Sequence, residues 1–471
     1  MAYQVKQEVI GDQRVLAHTE SLCPVCLGKI PAKRVVKGNN VFLEKACTQH
    51  GDFKTLLWRD AELYQEWGQG EEAPGSDKRF TRSDRGCPYD CGLCPNHRAQ
   101  TCTVLMEVTD KCDISCPVCF ASANGKHGFQ PDINGIREMY ETIIEAGGPC
   151  PVQLSGGEPT TRDDLPEIVA MGKKMGFEHI QINTHGIRLA RDRKYLQRLK
   201  ESGTDLIYLQ FDGISDDVYR HTRGADLFDL KIQAIENCAE VKLGVLLVPT
   251  LIPSVNDHQI GDIVRFAKTQ IPTVKGIHFQ PISYFGRYPR PPEDRHRITI
   301  SDVLSALESQ TGGEVKANHF LPRRRSDSHC GFSGFFVITE DGRLQATTVF
   351  ERRQTSGARC SDVTGGTRES PSEHVRRFIS QRGRFVEAQS RQCECKRNSW
   401  QSFFERAQTH YLSISGMPFQ DVWTIDLERL QGCCIHVVTS DKRLVPFCAF
   451  YLTSTTGKRL HQNSRSMSYV S

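Results

Sequence analysis

Residues 103–120 read TVLMEVTDKCDISCPVCF, an apolar run that stops at a loop carrying Cys112, Cys116 and Cys119. TVLMEV has the length and side-chain types of a buried strand, so the three thiols fall just beyond a strand's C-terminal end. Downstream, the same pairing of a short apolar run with a longer amphipathic stretch recurs. Strands are expected at 103–108, 152–156, 179–184, 205–213, 244–251 and 276–282, with helices near 133–146, 163–175, 190–201, 228–241 and 257–270. Alternation of that kind builds a parallel α/β sheet, and six strands with five helices fit an open or partial (β/α)6 barrel better than a sandwich. Chemistry in such folds gathers at the C-terminal ends of the strands, where the polar motifs of this chain lie.

The loop spacing is C-x3-C-x2-C. Structural zinc and most iron–sulfur clusters take four protein ligands, so a local set of three leaves one coordination position for another molecule. The alternative is a closed structural site completed by a distant cysteine.

The chain has 471 residues, 19 of them cysteine, with 25% charged and 38% hydrophobic residues, as a globular protein does. The start, MAYQVKQEVIGDQRVLAH, has no apolar signal region, so a secreted disulfide scaffold is not expected, and the thiols are read as reduced, metal-bound and cytoplasmic. Sixty Lys plus Arg against 56 Asp plus Glu leave +4, too balanced to point to nucleic acid. The longest apolar stretch, LGVLLVPTLIP at 243–253, is broken by Pro249 and falls short of the roughly 20 residues of a membrane span.

Four regions are expected. Residues 1–70 form a metal-binding ribbon, with Cys23, Cys26, Cys47 and His50 placed for tetrahedral zinc or mononuclear iron, followed by a short helix at AELYQEW. After the polar stretch GQGEEAPGSDKR at 68–79, residues 80–102 carry Cys87, Cys91, Cys94 and Cys102, a candidate auxiliary iron–sulfur segment. Residues 103–300 hold the barrel, and 301–471 a C-terminal region with Cys433, Cys434 and Cys448 and strand signals in IHVVTS and LVPFCAFYL. Within it, 355–399 reads as a loop-rich insertion, and Cys330, Cys393 and Cys395 are further candidate ligands, whereas Cys150 and Cys238 read as core thiols.

CDISCPVCF after the first strand of a βα series resembles the signature of radical S-adenosylmethionine (radical SAM) enzymes. The resemblance implies a [4Fe–4S] cluster held by Cys112, Cys116 and Cys119, with SAM chelated to the remaining iron and cleaved reductively to a 5′-deoxyadenosyl radical. Phe120 belongs to the same signature. Ser155-Gly156-Gly157-Glu158-Pro159 resembles the family's GGEP motif: the glycines would let backbone approach SAM, and Glu158 would accept from its ammonium. Asn183, Gln210, Asp212 and Thr250 lie at the ends of later strands, where the family contacts the cofactor.

CPVC with CTQHG, CPYDCGLCPNH and the terminal RLVPFC extend the resemblance to tetraether lipid synthases and related dihydropterin methyltransferases. That group implies one or two auxiliary [4Fe–4S] clusters, at Cys87, Cys91, Cys94 and Cys102 and at Cys433, Cys434 and Cys448, and a mononuclear metal in the ribbon. It further implies a low-potential donor such as ferredoxin or flavodoxin, and a lipid substrate whose alkyl chains are joined, or else a pterin that is methylated. A lipid substrate would bring peripheral contact with the inner membrane surface and a basic rim, for which Arg287, Arg290, Arg295, Arg297 and Arg323 to Arg325 are candidates. A non-enzymatic metal-binding scaffold is the reading from another class.

Overall fold

The computed structural model describes residues 9–10, 13–68, 80–124, 128–323, 326–350 and 406–461. The N-terminal ribbon is an antiparallel meander of β1 (Val9–Ile10), β2 (Gln13–Leu22), β3 (Lys29–Lys37), β4 (Asn40–Cys47) and β5 (Gly51–Arg59), closed by α1 (Ala61–Trp67), which is the expected AELYQEW helix. Its own apolar cluster is small, just Val15, Val35, Phe42 and Leu56. Contacts with the C-terminal region supplement it: buried Lys45 Nζ donates to Leu22 O at 2.9 Å and Val422 O at 2.8 Å.

The second sheet is built on six parallel strands in chain order: β6 (Thr103–Thr109), β7 (Val152–Gly156), β8 (Ile180–Thr184), β9 (Leu206–Gln210), β10 (Gly244–Val248) and β12 (Val274–Pro281). Pro249 ends β10, and the apolar run resumes as β11 (Thr250–Leu251), paired with β12. Between the strands run α2 (Ile133–Gly147), α3 (Leu165–Lys174), α4 (Ile187–Arg191), α5 (Arg193–Glu201), α6 (Asp216–Arg223), α7 (Phe228–Glu240) and α8 (Ile260–Thr269), and after β12 comes α9 (Ile300–Gln310). Val104, Leu154, Ile182, Ile207, Val245 and Ile277 are fully buried under these helices, the reason parallel strands read as continuous apolar runs.

Departures from the sequence reading have local causes. The helix expected at 190–201 divides at Asp192, whose carboxylate caps α5 by accepting from Tyr195 N at 2.9 Å. α6 was not foreseen, because DDVYRHTR buries only Val218, Tyr219 and Thr222. In LVPFCAFYL, β18 (Leu444–Pro446) is a strand, but Phe447–Tyr451 is a buried helix rather than its continuation.

The six strands are extended on both edges by later chain. β13 (Leu321–Pro322), β14 (Phe332–Ile338) and β15 (Leu344–Ala346) join beyond β16 (Tyr411–Gly416), which lies parallel to β12. On the opposite edge β17 (Ile435–Val438) lies parallel to β6 and carries β18, after α10 (Leu427–Gln431) and before α11 (Phe447–Tyr451). Pairing of β17 with β6 brings Cys433 and Cys434 beside Cys102. The segment 355–399, with Cys360, Cys393 and Cys395, and Arg324 and Arg325 lie outside the described residues.

Candidate active site and metal centres

The loop after β6 carries Cys112, Cys116 and Cys119, and its shape is fixed by backbone bonds. Asn124 accepts from Cys112 N and donates to Cys112 O, both at 2.8 Å. Cys119 and Arg287 exchange two backbone bonds at 2.9 and 3.0 Å, and Arg287 Nε reaches Cys116 O at 2.9 Å. Phe120 packs edge-on against Tyr451 of α11, ring centroids 4.9 Å apart.

Gly156 and Gly157 permit close approach, but to the cysteine loop itself. A Cβ on Gly156, at φ +127°, would stand 2.1 Å from Thr109 O, and one on Gly157 2.1 Å from Lys111 O. Gly157 N donates to Thr109 O and Glu158 N to Lys111 O, each at 2.7 Å.

Where the sequence suggested an open acceptor at Glu158, the structure shows a brace. Oε1 accepts from Thr160 N at 3.0 Å and from the hydroxyls of Thr160 and Thr184 at 2.6 Å, and Oε2 accepts from His185 N at 2.9 Å. Three donors converge on Oε1 and one on Oε2 of this buried carboxylate. His185 in turn donates from Nε2 to Asp113 Oδ1 at 2.6 Å, its Nδ1 accepting from Ile187 N. The β7 and β8 ends are thus tied to the cysteine loop.

The remaining strand-end candidates form one polar chain. Asn183 donates to Ser155 Oγ at 3.1 Å, Gln210 Nε2 to Asn183 Oδ1 at 2.8 Å, and Arg223 Nη2 to Gln210 Oε1 at 3.0 Å. Asp212 accepts from Arg223 and from Thr250 N, and Asn256 Nδ2 donates to the carbonyls of Asp212 and Thr250. Burial alone would raise the Asp212 pKa, but the charge and hydrogen bonds of Arg223, with Thr250 N and the charge of Lys231, together outweigh it and hold the carboxyl below its usual value. Arg223, at the C-terminal end of α6, is the central residue that sequence reasoning missed; a basic last turn closed by Gly224 was its available signal.

The three thiols fit an iron–sulfur cluster. Burial, then the charges of Glu158, Cys116 and Asp113, push the Cys112 thiol up to about 12, so a thiolate there requires the positive charge that bound iron supplies. Arg223 adds a cation on the Cys116 side.

In the ribbon, the ligand atoms of Cys23, Cys26, Cys47 and His50 all lie within 4.8 Å of one another, with His50 Nδ1 3.5 Å from Cys23 Sγ and 3.4 Å from Cys47 Sγ. Three thiols and an imidazole at that separation suit one tetrahedral ion.

The auxiliary cysteines are partitioned differently from expectation. Cys102 does not join Cys87, Cys91 and Cys94; its Sγ lies 2.7 Å from Cys434 Sγ, because β17 pairs with β6. Arg323 Nη2 points at both sulfurs, 3.6 and 3.5 Å away, and Arg429 Nη2 lies 3.4 Å from Cys330 Sγ. Cys448 is buried and Cys433 half-buried nearby, their thiols held up first by desolvation. Two guanidinium groups aimed at sulfur, Arg429 buried and Arg323 half-buried, mark an anionic sulfur site.

The basic rim also dissolves. Arg287 clamps the cysteine loop, Arg297 is buried against Asp421 at 3.0 Å, and Arg323 faces sulfur; Arg290 and Arg295 alone of the five described are exposed. Among the described residues no helix is long and apolar enough to cross a membrane.

Fold and site together define an enzyme that presents three cysteine thiols at the C-terminal mouth of a parallel βα sheet. Residues 106–267 match the model of the radical SAM superfamily, and residues 15–59 match that of the HMPTM N-terminal zinc ribbon domain. The chain is 36% identical, across 92% of each sequence, to 7,8-dihydro-6-hydroxymethylpterin dimethyltransferase of Methanocaldococcus jannaschii. It is 27% identical to an Fe-coproporphyrin III synthase of Methanosarcina barkeri, over 60% of this chain and 65% of that one. A probable GTP 3′,8-cyclase of Methanococcus maripaludis is also 27% identical, over 50% of this chain and 76% of its own. The chain belongs to the radical SAM superfamily, and its likeness to the dimethyltransferase runs over 92% of each chain.

Proposed function

We propose that this enzyme builds a carbon–carbon bond at an unactivated carbon, and that methyl transfer to a reduced pterin is the reaction. The observation that supports it is the end-to-end likeness to the pterin dimethyltransferase, ribbon and C-terminal region included. Cys112, Cys116 and Cys119 would hold a [4Fe–4S] cluster, which would supply one-electron reductive cleavage of SAM. In this reading the chain of Asn183, Gln210, Arg223 and Asp212 lines the SAM site and Arg223 balances thiolate charge. The β7 and β8 braces hold the cysteine loop in place.

One observation favours a second reading, the joining of alkyl chains of membrane lipids. Phe120, Phe285, Phe447 and Tyr451 pack as an aromatic cluster against the cysteine loop, an apolar setting compatible with a hydrocarbon substrate.

The test is anaerobic turnover of the reconstituted holoenzyme with SAM carrying a deuterated methyl group. With 7,8-dihydro-6-hydroxymethylpterin, deuterated methyl groups appear on the pterin carbon skeleton. Unlabelled pterin, with joined chains formed from isoprenoid lipid instead, overturns the first reading in favour of the second.

A further inference from the structure

The sheet of β6 to β12 has two unlike faces. Leu154, Ile182, Ile207 and Leu247 pack into the main core under the helices. Side chains alternate along a strand, so Gln153, Gln181, Leu206 and Leu246 face the other way. A filled barrel interior is made of branched apolar side chains. This face instead carries a separate small apolar patch, Leu206, Tyr208, Leu246 and Val248, with an amide pair at its edge. Strand register sets Gln181 beside both Gln153 and Leu206.

The amide pair is ordered from one end. His179 Nε2 donates to Gln181 Oε1 at 3.3 Å, and Gln181 Nε2 donates to Gln153 Oε1 at 2.6 Å. These bonds engage both ends of the Gln181 amide and the oxygen of Gln153. The Gln153 nitrogen has no hydrogen-bond partner among the described residues, although the residue is only 9% exposed. A donor held in such a place without a partner costs free energy, which a bound acceptor recovers. On the same face, Ser155 and Asn183 stand two residues further along the same two strands, joined at 3.1 Å within the strand-end network. Gln153 and Gln181 therefore lie about 6.6 Å deeper than that network, and a molecule resting on the patch beneath SAM meets the Gln153 nitrogen.

We propose that Gln153 is a substrate-binding residue that donates to a ring acceptor, a carbonyl oxygen or aza nitrogen, of a flat neutral heterocycle lying on Leu206, Tyr208, Leu246 and Val248. This rests on the reading of the substrate as a reduced pterin, which carries both kinds of acceptor. An apolar bed with a few fixed polar groups is how proteins hold and orient such rings, and a neutral amide suits a neutral ring. His179 and Gln181 are positioning residues that aim the donor. A hydrocarbon chain in the same place would leave the Gln153 N–H groups desolvated and unbonded, so the amide pair disfavours a lipid here.

The experiment is equilibrium dialysis of 7,8-dihydro-6-hydroxymethylpterin against the anaerobically reconstituted full chain, with SAM present and no reductant, so that nothing turns over. Gln153→Glu keeps an oxygen for Gln181 Nε2 but turns the outward donor into an acceptor. Its pterin dissociation constant should rise by about tenfold or more. In turnover the pterin KM should rise by a similar factor, with kcat lowered less, at wild-type iron content. A folded Gln153→Glu with wild-type affinity, or one that loses kcat at unchanged KM, would overturn the proposal alone. A wild-type chain that cleaves SAM but neither binds nor methylates the pterin would overturn the underlying reading and the proposal with it. Should Gln153→Glu not fold, Gln153→Met is measured in the same way: a comparable rise in the dissociation constant supports the contact, and an unchanged value overturns it.

Discussion

Arg223 Nη1 stands 4.0 Å from Cys116 Sγ while Nε and Nη2 of the same guanidinium hold the two Asp212 oxygens at 2.5 and 2.9 Å. A single half-buried cation therefore couples the cysteine loop to the strand-end network. Arg223→Gln leaves the Asp212 charge uncompensated in a fully buried position, and breaking such a pair costs about 3–5 kcal/mol. Denaturant midpoints should fall accordingly, and SAM cleavage by more than about tenfold. Arg223→Lys keeps the charge but loses the fork, so it should recover stability only in part. Wild-type stability and yield in the Gln variant would dismiss the role.

Gly157→Ala places a Cβ 2.1 Å from Lys111 O, a backbone atom that cannot move without moving Cys112. The expected outcome is loss of the SAM cluster's iron, read by metal analysis, with ribbon metal retained and 5′-deoxyadenosine below about a tenth of wild type. A variant with full iron would show that the loop tolerates displacement.

Lys231 is fully buried, donates to His185 O, and is pushed down to about 8 by burial first and by Arg223 second. Its unfolded value is about 10.4. Between these values the unfolded chain binds more protons than the folded one, so stability rises with pH across that window, by on the order of 3 kcal/mol from this group. Below pH 8 both states are protonated and the contribution is flat. Lys231→Met should abolish that rise, measured as the difference in denaturation midpoint between variant and wild type at pH 7.5 and 10. An unchanged pH profile would refute the assignment.

Removal of the ribbon metal should unfold the metal-binding end of the ribbon selectively, since Val15, Val35, Phe42 and Leu56 form only a small cluster there while Val41 and Trp58 pack into the main core. Structural zinc contributes about 10–16 kcal/mol of apparent binding energy in small ribbons. After chelation, limited proteolysis should cut within 23–50 while the barrel resists. Unaltered fragments would mean that docking through Lys45 suffices.

The sheet was legible because its strands are buried on both faces: VQLSG and TVLMEV announce themselves as continuous apolar runs. The ribbon ligands were legible because each C-x2-C or C-x2-H pair is local and a short antiparallel meander brings the two pairs together. What sequence hid depends on long-range pairing. Cys102 looked like the fourth member of its own segment, yet its partner Cys434 is 332 positions away, joined through the β6–β17 register. Arg323 looked like a surface charge in an Arg-rich run, and its half-buried guanidinium is turned onto sulfur. YLSISG, half polar, gave no apolar signal for β16, whose neighbours β12 and β14 supply the burial. Phe447–Tyr451 has the residue types of a strand, but its aromatic rings fill a cluster around Phe120 and Phe285 that a helix packs better.

The most direct measurement is 5′-deoxyadenosine production from SAM and a low-potential reductant by the anaerobically reconstituted chain, compared among wild type, Cys116→Ala and Cys91→Ala. Cys116→Ala should abolish the product while Cys91→Ala still forms it. Product that survives Cys116→Ala but disappears in Cys91→Ala would contradict the assignment of the SAM-cleaving cluster to Cys112, Cys116 and Cys119.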